Sequence, residues 1–392
     1  MNARQWVPDV FWMGAVDWSR RLFDSLIPLP DGTSYNAWLV RGLDKTALID
    51  TADPSMAGEL ASQLEAVPSL DYVVANHAEQ DHSGLIPAVL ARYPAAAVLT
   101  SSKGKPMLVE HLALDERRVR IVADGETVAL GGKTLEFIYT PWVHWPETMS
   151  TYLCEDKILF SCDFFGSHLA AGDLVVRDEG RVYEAAKRYY AEIMMPFRTV
   201  IRKNLERLAP YAIERIAPSH GPAYERPAFI LDAYREWSSE TPRNEAALVY
   251  ISMHGSTEIM VQRLAAGLAE RGVRLSLFNL AVTDIGKLAM ALVDAATLVV
   301  GTPTVHVGPH PVVHYAAHLA NALRPKLRYA AVLNSYGWAG KAVEQVAGLI
   351  PNLKVELLAA ISCKGRPTEA VLAEVDALAG KIADRHKAAG LA

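Results

Sequence analysis

The sequence predicts an α/β protein in two parts: a mixed sandwich of two sheets between helices over residues 1–244, then an open, five-stranded parallel sheet with helices on both faces over 245–392. Three observations carry this. The C-terminal part alternates apolar β-rich runs with helical patterns in a regular way, the N-terminal part mixes short strands and helices in irregular order, and a polar, proline-containing stretch, WSSETPRNEAA at 237–247, lies between them.

In the first part, short β segments are expected at 9–13, 36–41 and 46–50, and a helix at 55–66. Strand and helix alternate on to residue 139. A hairpin-like pair at 149–154 and 157–161 follows, then two helical stretches and a last strand at 213–217. In the second part, β runs at 247–252, 273–279, 296–301, 327–334 and 354–361 are separated by helical patterns at 257–271, 284–293, 312–323, 340–349 and 367–387. Ligands of such open sheets sit at the carboxyl ends of the strands.

Composition narrows the function. Apolar types make up 51% and charged types 21% of 392 residues, the balance of a chain that buries real cores. The net charge of −5, with no block of Lys or Arg, gives no electrostatic footprint for nucleic acid or an anionic membrane. No stretch approaches the roughly 18 apolar residues needed to span a bilayer, and the start, MNARQWVPDVFW, lacks the apolar core of a signal peptide, so a cytoplasmic protein is expected. Cys154, Cys162 and Cys363 form no C-x-x-C, which argues against a disulfide framework or a thiolate-held iron centre. Any metal must then be held by His and carboxylates.

Such groups cluster. The apolar run DYVVAN ends at His77, and Glu79, Asp81 and His82 follow within six positions. On an extended segment His77, Glu79 and Asp81 would project to one side and His82 to the other, so that one loop could serve two ions. His144 in TPWVHWPE, Asp163 in ILFSCDFFG and His220 in IAPSHGP each follow a strand-like run and sit beside Gly, Pro or an aromatic residue, as loops at one sheet edge do. Seven buried carboxylates and imidazoles without a cation would cost several kcal/mol.

These residues resemble the metal loop of the metallo-β-lactamase superfamily, H-x-H-x-D-H, with its distant His, bridging Asp and last His. With Glu79 as the second ligand, the pattern H-x-E-x-D-H is similar to that of the flavodiiron proteins, or A-type flavoproteins, in which a lactamase-like αββα domain precedes a flavodoxin-like one. FWMGAVDWSRRLFD at 11–24 and TSYNAWLV at 33–40 also look like that family. The resemblance implies one iron held by His77, Glu79 and His144, a second by Asp81, His82 and His220, and Asp163 bridging the two. In some members the residue matching His82 does not bind directly. Three anionic oxygens favour iron over the zinc of an imidazole-rich hydrolase.

The first strand of the second part ends in Ser252-Met-His254-Gly-Ser256-Thr257 just before a helix, a ready seat for a terminal phosphate, although a plain N-cap at Ser256 or Thr257 also fits. The third run ends in GTPTVHVGPHP from 301 and the fourth in NSYGWAGKA from 334. All three stretches resemble the flavin mononucleotide (FMN) loops of the family. The resemblance places phosphate contacts at Ser252, His254, Ser256 and Thr257, and ring contacts at Pro303, Thr304, Val305, Ser335, Tyr336, Gly337 and Trp338.

Other groups read as bland. His306, His310, His314 and His318 recur every four residues, but Pro309 and Pro311 interrupt that spacing. His168 could orient a ligand or sit in the core; Tyr189 and Tyr190 read as packing residues and Cys162 as a small buried hydrophobe.

The resemblance implies an oxidoreductase in which FMN feeds a di-iron site that reduces dioxygen to water or nitric oxide to nitrous oxide. It implies also an external donor (a rubredoxin, a flavin reductase or a reduced deazaflavin) and a head-to-tail homodimer or dimer of dimers. Hydrolysis needs no electrons, so a flavin part would be idle in a di-zinc hydrolase; that rival, and a non-catalytic redox or gas-sensing protein, remain open at this level.

Overall fold

In the computed structural model, which describes residues 3–338 and 342–392, the chain divides into two compact units, 1–190 with 197–238, and 191–196 with 239–392. The first unit holds two large sheets and two small two-stranded ones. A seven-stranded sheet runs Arg4–Val7, Val10–Trp12, Trp38–Arg41, Thr46–Ile49, Tyr72–Val74, Ala97–Thr100, Val119–Ile121 in spatial order. A five-stranded sheet runs Thr127–Ala129, Thr134–Tyr139, Met149–Leu153, Ile158–Cys162, Arg215–Pro218.

The inner strands of the first sheet read as largely apolar runs because both faces are buried, and the two-residue period sorts their side chains. Leu39, Leu48, Val73 and Val98 pack against Leu60, Leu64, Ile86, Val89 and Leu108 from the helices Ala57–Leu64, Ile86–Arg92 and Gly104–Leu112. Their neighbours Trp38, Val40, Ala47, Ile49, Val74 and Leu99 point the other way, onto Leu135, Phe137, Met149, Leu153, Ile158 and Phe160 of the second sheet. Helices Glu179–Tyr189, Arg198–Leu208 and Pro227–Ser238 complete the unit. This is the αββα sandwich. The last strand of the second sheet pairs parallel to Ile158–Cys162, which brings the loops after both to the same edge.

Elements not anticipated are the strand Arg4–Val7, an antiparallel pair of Ala15–Asp17 with Thr33–Tyr35, and a small hairpin pairing Leu22–Phe23 with Ile27–Pro28. The hairpin turns on Asp24 and Ser25, both at positive φ (49° and 54°), and Leu26 N donates to Phe23 O at 3.0 Å.

In the second unit five parallel strands stand in the order Arg274–Asn279, Glu245–Tyr250, Thr297–Val305, Tyr329–Tyr336, Glu356–Lys364, the flavodoxin-like 2-1-3-4-5. A short strand, Gly308–Pro309, folds back on the third. Helices Ser256–Glu270 and Glu369–Ala388 bury Met260, Leu264, Leu268, Val375, Leu378 and Ile382 against Leu248, Val299, Leu333 and Ile361 of the sheet. Helices Ile285–Asp294, Pro311–Leu323 and Ala342–Gly348 complete the alternation; positions 340 and 341 of the expected fourth helix lie outside the described residues. No helix among the described residues is long and apolar enough to cross a membrane.

One histidine of this unit makes its stability pH-dependent. His386 is fully buried, with Nε2 at 2.7 Å from Thr297 Oγ1 and Nδ1 at 2.8 Å from Asn244 Oδ1, and burial pulls its pKa down to about 4. Between the unfolded value near 6.5 and this folded value the unfolded chain binds the extra proton, so stability is lost as pH falls through that window, on the order of 2 kcal/mol by pH 5. Urea titrations at pH 7.5 and pH 5 should show that loss in the wild type and less of it in H386Q; equal pH slopes would contradict the assignment.

Candidate di-iron and flavin sites

His77 leaves the sheet three residues beyond Val74, and Asp50 steadies its approach: the Asp50 carboxylate accepts from Asn76 N at 2.8 Å and Asn76 Nδ2 at 2.9 Å. The chain stays irregular through Glu79, then Gln80–Ser83 forms a single helical turn. That turn changes the expected sidedness. Glu79 stays with His77, while Asp81 swings round to join His82, so the loop divides two and two.

The second sheet supplies the rest. His144 comes from the loop between Thr134–Tyr139 and Met149–Leu153, Asp163 directly follows Ile158–Cys162, and His220 follows Arg215–Pro218. Cys162, with φ of 52°, sits in the left-handed region that a side chain disfavours and redirects the chain as Asp163 begins.

The seven side chains converge on two clusters. Glu79 Oε2 lies 3.1 Å from both His77 Nε2 and His144 Nε2, and Asp163 Oδ2 lies 3.5 Å from each. On the other side Asp81 Oδ2 is 3.2 Å from His82 Nε2 and from His220 Nε2, and Asp163 Oδ1 is 3.1 and 3.4 Å from the same two nitrogens. The two oxygens of Asp163 thus face one cluster each. Both carboxylate oxygens of Asp81, both nitrogens of His82 and Asp163 Oδ1 are buried without a hydrogen-bond partner. Buried donor atoms aimed at one another in this way are the surroundings of a cation. Hard oxygens with imidazole nitrogens fit iron.

Neighbouring groups fix the ring orientations. His77 Nδ1 donates to Glu147 Oε1 at 2.6 Å, and His220 Nδ1 donates to the Ser34 carbonyl at 2.7 Å, which turns each Nε2 toward the cluster. Phe23, from the small hairpin, is 5% exposed and lays its ring 6.2 Å from that of His220, covering this side. His168 is buried, its Nδ1 2.9 Å from Thr33 Oγ1 and its ring 4.8 Å from that of His220. Tyr189 packs as a core residue, its ring 4.8 Å from that of His168.

In the second unit the loop after the first strand, the carboxyl ends of the third and fourth strands and Gly365, just beyond the fifth, enclose a cleft of about 270 Å³ lined by Met253, His254, Ser256, Pro303, Thr304, Ser335, Tyr336, Gly337 and Gly365. Ser252 Oγ accepts from Gly255 N at 3.1 Å and shapes the first loop. Thr257 is fully buried, its Oγ1 2.8 Å from Ser335 Oγ. The helix is capped by Gly255, at φ of 86°, with no side-chain cap, so the hydroxyl of Ser256 is not spent on capping. Val305 is half-buried and Trp338 is 80% exposed; neither lines the cleft. Positions 339–341 of the fourth-strand loop lie outside the described residues.

The model of the ODP family beta lactamase matches residues 33–221, a span that includes all seven clustered residues. The nitric oxide reductase of Moorella thermoacetica is 36% identical, over 89% of this chain and 90% of its own. A type A flavoprotein of Rhodobacter capsulatus is 35% identical over 96% and 90%. Among solved structures, the rubredoxin oxygen:oxidoreductase of Desulfovibrio gigas superposes with a TM-score of 0.95 at 30% identity, covering 100% of both chains. The chain belongs to the flavodiiron family.

As a flavodiiron protein it is an oxidoreductase built on FMN and a non-haem di-iron centre. The electrostatics of this flavodiiron protein without its ions are those of a site waiting for positive charge. Burial would strip protons from the imidazoles, but the carboxylates outweigh it. Glu147 and Glu79 hold His77 well above the ordinary imidazole range, Asp163 and Glu79 push His144 up to about 9, and Asp163 and Asp81 push His220 up to about 10. Burial likewise opposes, and the imidazoles override it, in holding Asp163 well below the usual carboxylate range. An incoming cation must displace those protons, so affinity rises with pH, by about tenfold per unit for each proton released. Calorimetric titration of metal-free protein near pH 7, in buffers of differing ionisation enthalpy, should register net proton release; none would contradict this picture.

Glu147, Met253 and Gly365 were not singled out in the sequence. Glu147 stands three residues beyond His144, where a Glu after Pro146 reads as a solvated turn; only its burial, at 2% exposure, reveals it. Of the other histidines, His310 accepts from Val312 N and caps the helix Pro311–Leu323, and among the described residues His306, His310, His314 and His318 fall in no candidate metal group.

Proposed function

We propose that this flavodiiron protein reduces dioxygen to water, nitric oxide to nitrous oxide, or both. In this reading His77, Glu79 and His144 hold one iron, Asp81, His82 and His220 the other, and Asp163 bridges them. Ser252, His254, Ser256 and Thr257 receive the FMN phosphate, and the loops at 303–305 and 335–338 receive the ring. The single observation that carries the reading is the Asp163 carboxylate, with Oδ1 toward one pair of imidazoles and Oδ2 toward the other. Bound there, the iron pair supplies redox equivalents and open coordination positions for a diatomic gas, and the flavin supplies electrons.

The chain's own residues set the conditions. Glu79, Asp81 and Asp163 bring three negative charges that offset the charge of two ions and favour iron in its oxidised state. Glu147 and the Ser34 carbonyl hold Nδ1 of His77 and His220 as the donor, so that Nε2 is the nitrogen that gives up its proton and would face an ion. Phe23 and the other buried aromatics limit water at the His220 side, while Glu79 and His144, with side chains 12% and 18% exposed, leave the approach on theirs.

By the same reading the protein works in the cytoplasm as a head-to-tail homodimer or dimer of dimers, one subunit's flavin serving its partner's irons, and takes electrons from an external donor: a rubredoxin, a flavin reductase or a reduced deazaflavin. No C-x-x-C centre within the chain could play that part. Anaerobic turnover of purified, iron-loaded, yellow protein with each gas in turn tests the proposal. Consumption of dioxygen to water or of nitric oxide to nitrous oxide is the expected result; a colourless zinc protein, or a stable nitric oxide adduct without nitrous oxide, would refute it.

A further inference from the structure

We propose that Glu147 makes the two metal positions unequal, so that the position formed by His77, Glu79 and His144 takes up its ion first and holds it more tightly. The inference rests on the reading that these clusters bind metal. Its origin is the asymmetry of what stands behind the ligands.

Behind His77 is an anion. Glu147 Oε1 lies 2.6 Å from His77 Nδ1, and both side chains are 0% exposed. The same oxygen accepts from Ala78 N at 3.0 Å, so one carboxylate atom holds both the ring and the backbone beside it. Glu147 is itself anchored: its backbone carbonyl accepts from Ser101 Oγ at 2.6 Å, and that hydroxyl accepts from Gly104 N at the start of the helix Gly104–Leu112. Its second oxygen, Oε2, is buried without a partner, so His77 and the positive charge beyond it are what balance this carboxylate.

Among the described residues no carboxylate hydrogen-bonds the far side of a ring in the other cluster; the buried carboxylate of Asp50 interacts with His82 through space, but its oxygens accept from Asn76 N and Nδ2. His220 Nδ1 donates to a neutral carbonyl, that of Ser34, and His82 Nδ1 is buried with no partner. A charge-assisted hydrogen bond is roughly twice as strong as a neutral one and raises the basicity of the ring's other nitrogen. Each position has one carboxylate of its own, Glu79 or Asp81, and shares Asp163. Glu147 therefore places a directly hydrogen-bonded negative charge on a ligand of the first position, at a depth where water does not screen it, and no ligand of the second position has its equal among the described residues.

The variant E147Q keeps the volume and an oxygen for Ala78 N but removes the charge. Competition with a chelator for cobalt(II) should show two unequal sites in the wild type. In E147Q the tighter should weaken by about 10–100-fold, toward the looser, with the looser unchanged. With iron, one of the two couples should move upward by about tenfold in its oxidation equilibrium, about 59 mV, while the other stays. Equal weakening of both sites, or none, would overturn the inference. A second measurement needs no variant: in crystals of wild-type protein given one equivalent of cobalt(II), anomalous density should concentrate among His77, Glu79 and His144. Equal density at both positions, or a preference for Asp81, His82 and His220, would overturn it. No cobalt at either position would instead contradict the metal-centre reading itself.

Discussion

Replacing Asp163 with asparagine is expected to empty both metal positions and to lower gas reduction by at least about 100-fold, because one side chain serves both. Asp163 is 1% exposed and its oxygens lie 3.1–3.5 Å from four imidazole nitrogens. Asparagine preserves the volume but removes the charge, and its amide NH2 would point a donor at nitrogens that must themselves face a cation. The protonated imidazoles of the metal-free site would lose their common counter-ion, a loss that for buried pairs costs about 3–5 kcal/mol and that these rings would relieve by shedding protons. The measurements are iron per chain and turnover, with circular dichroism to establish that the sandwich still forms. A folded D163N protein that keeps both irons and its activity would contradict the bridging role.

The second large effect concerns which metal binds. Glu79→His turns the first position into a set of three imidazoles and lowers the ligand charge from three negative to two. Glu79 Oε2 is 3.1 Å from both His77 and His144, so the new ring would fall among nitrogen donors, the surroundings that suit zinc. Grown with both metals available, E79H should carry zinc at this position and lose gas reduction by about 100-fold or more, while E79D, which keeps the charge, should retain iron. Metal analysis of the two variants side by side decides the matter. Iron content and turnover of E79H equal to the wild type would show that the carboxylate does not choose the metal.

Much of this was legible in the sequence because it is written in side chains at strand ends. His77, Glu79, Asp81 and His82 are nearly contiguous, and His144, Asp163 and His220 each close an apolar run that the structure turns into a strand or a loop between strands. The regular alternation after residue 244 corresponds to the parallel sheet because each β run and helix is long enough to be read alone. What escaped depends on partners distant in sequence. The Ser34 carbonyl that orients His220 is backbone and has no residue signature. Phe23 covers that ring only through a two-stranded hairpin too short to leave a period. Glu147 became visible only as a buried acid against His77. The division of Asp81 from Glu79 depends on the helical turn at Gln80–Ser83, and four residues are too few for periodicity to separate a turn of helix from an extended loop.

Diffraction from crystals of iron-loaded protein, collected on both sides of the iron absorption edge, tests the central claim most directly. The account predicts two separate iron peaks, one bounded by His77, Glu79 and His144 and the other by Asp81, His82 and His220, with the carboxylate of Asp163 between them. A single peak, or iron bound away from these side chains, would contradict it.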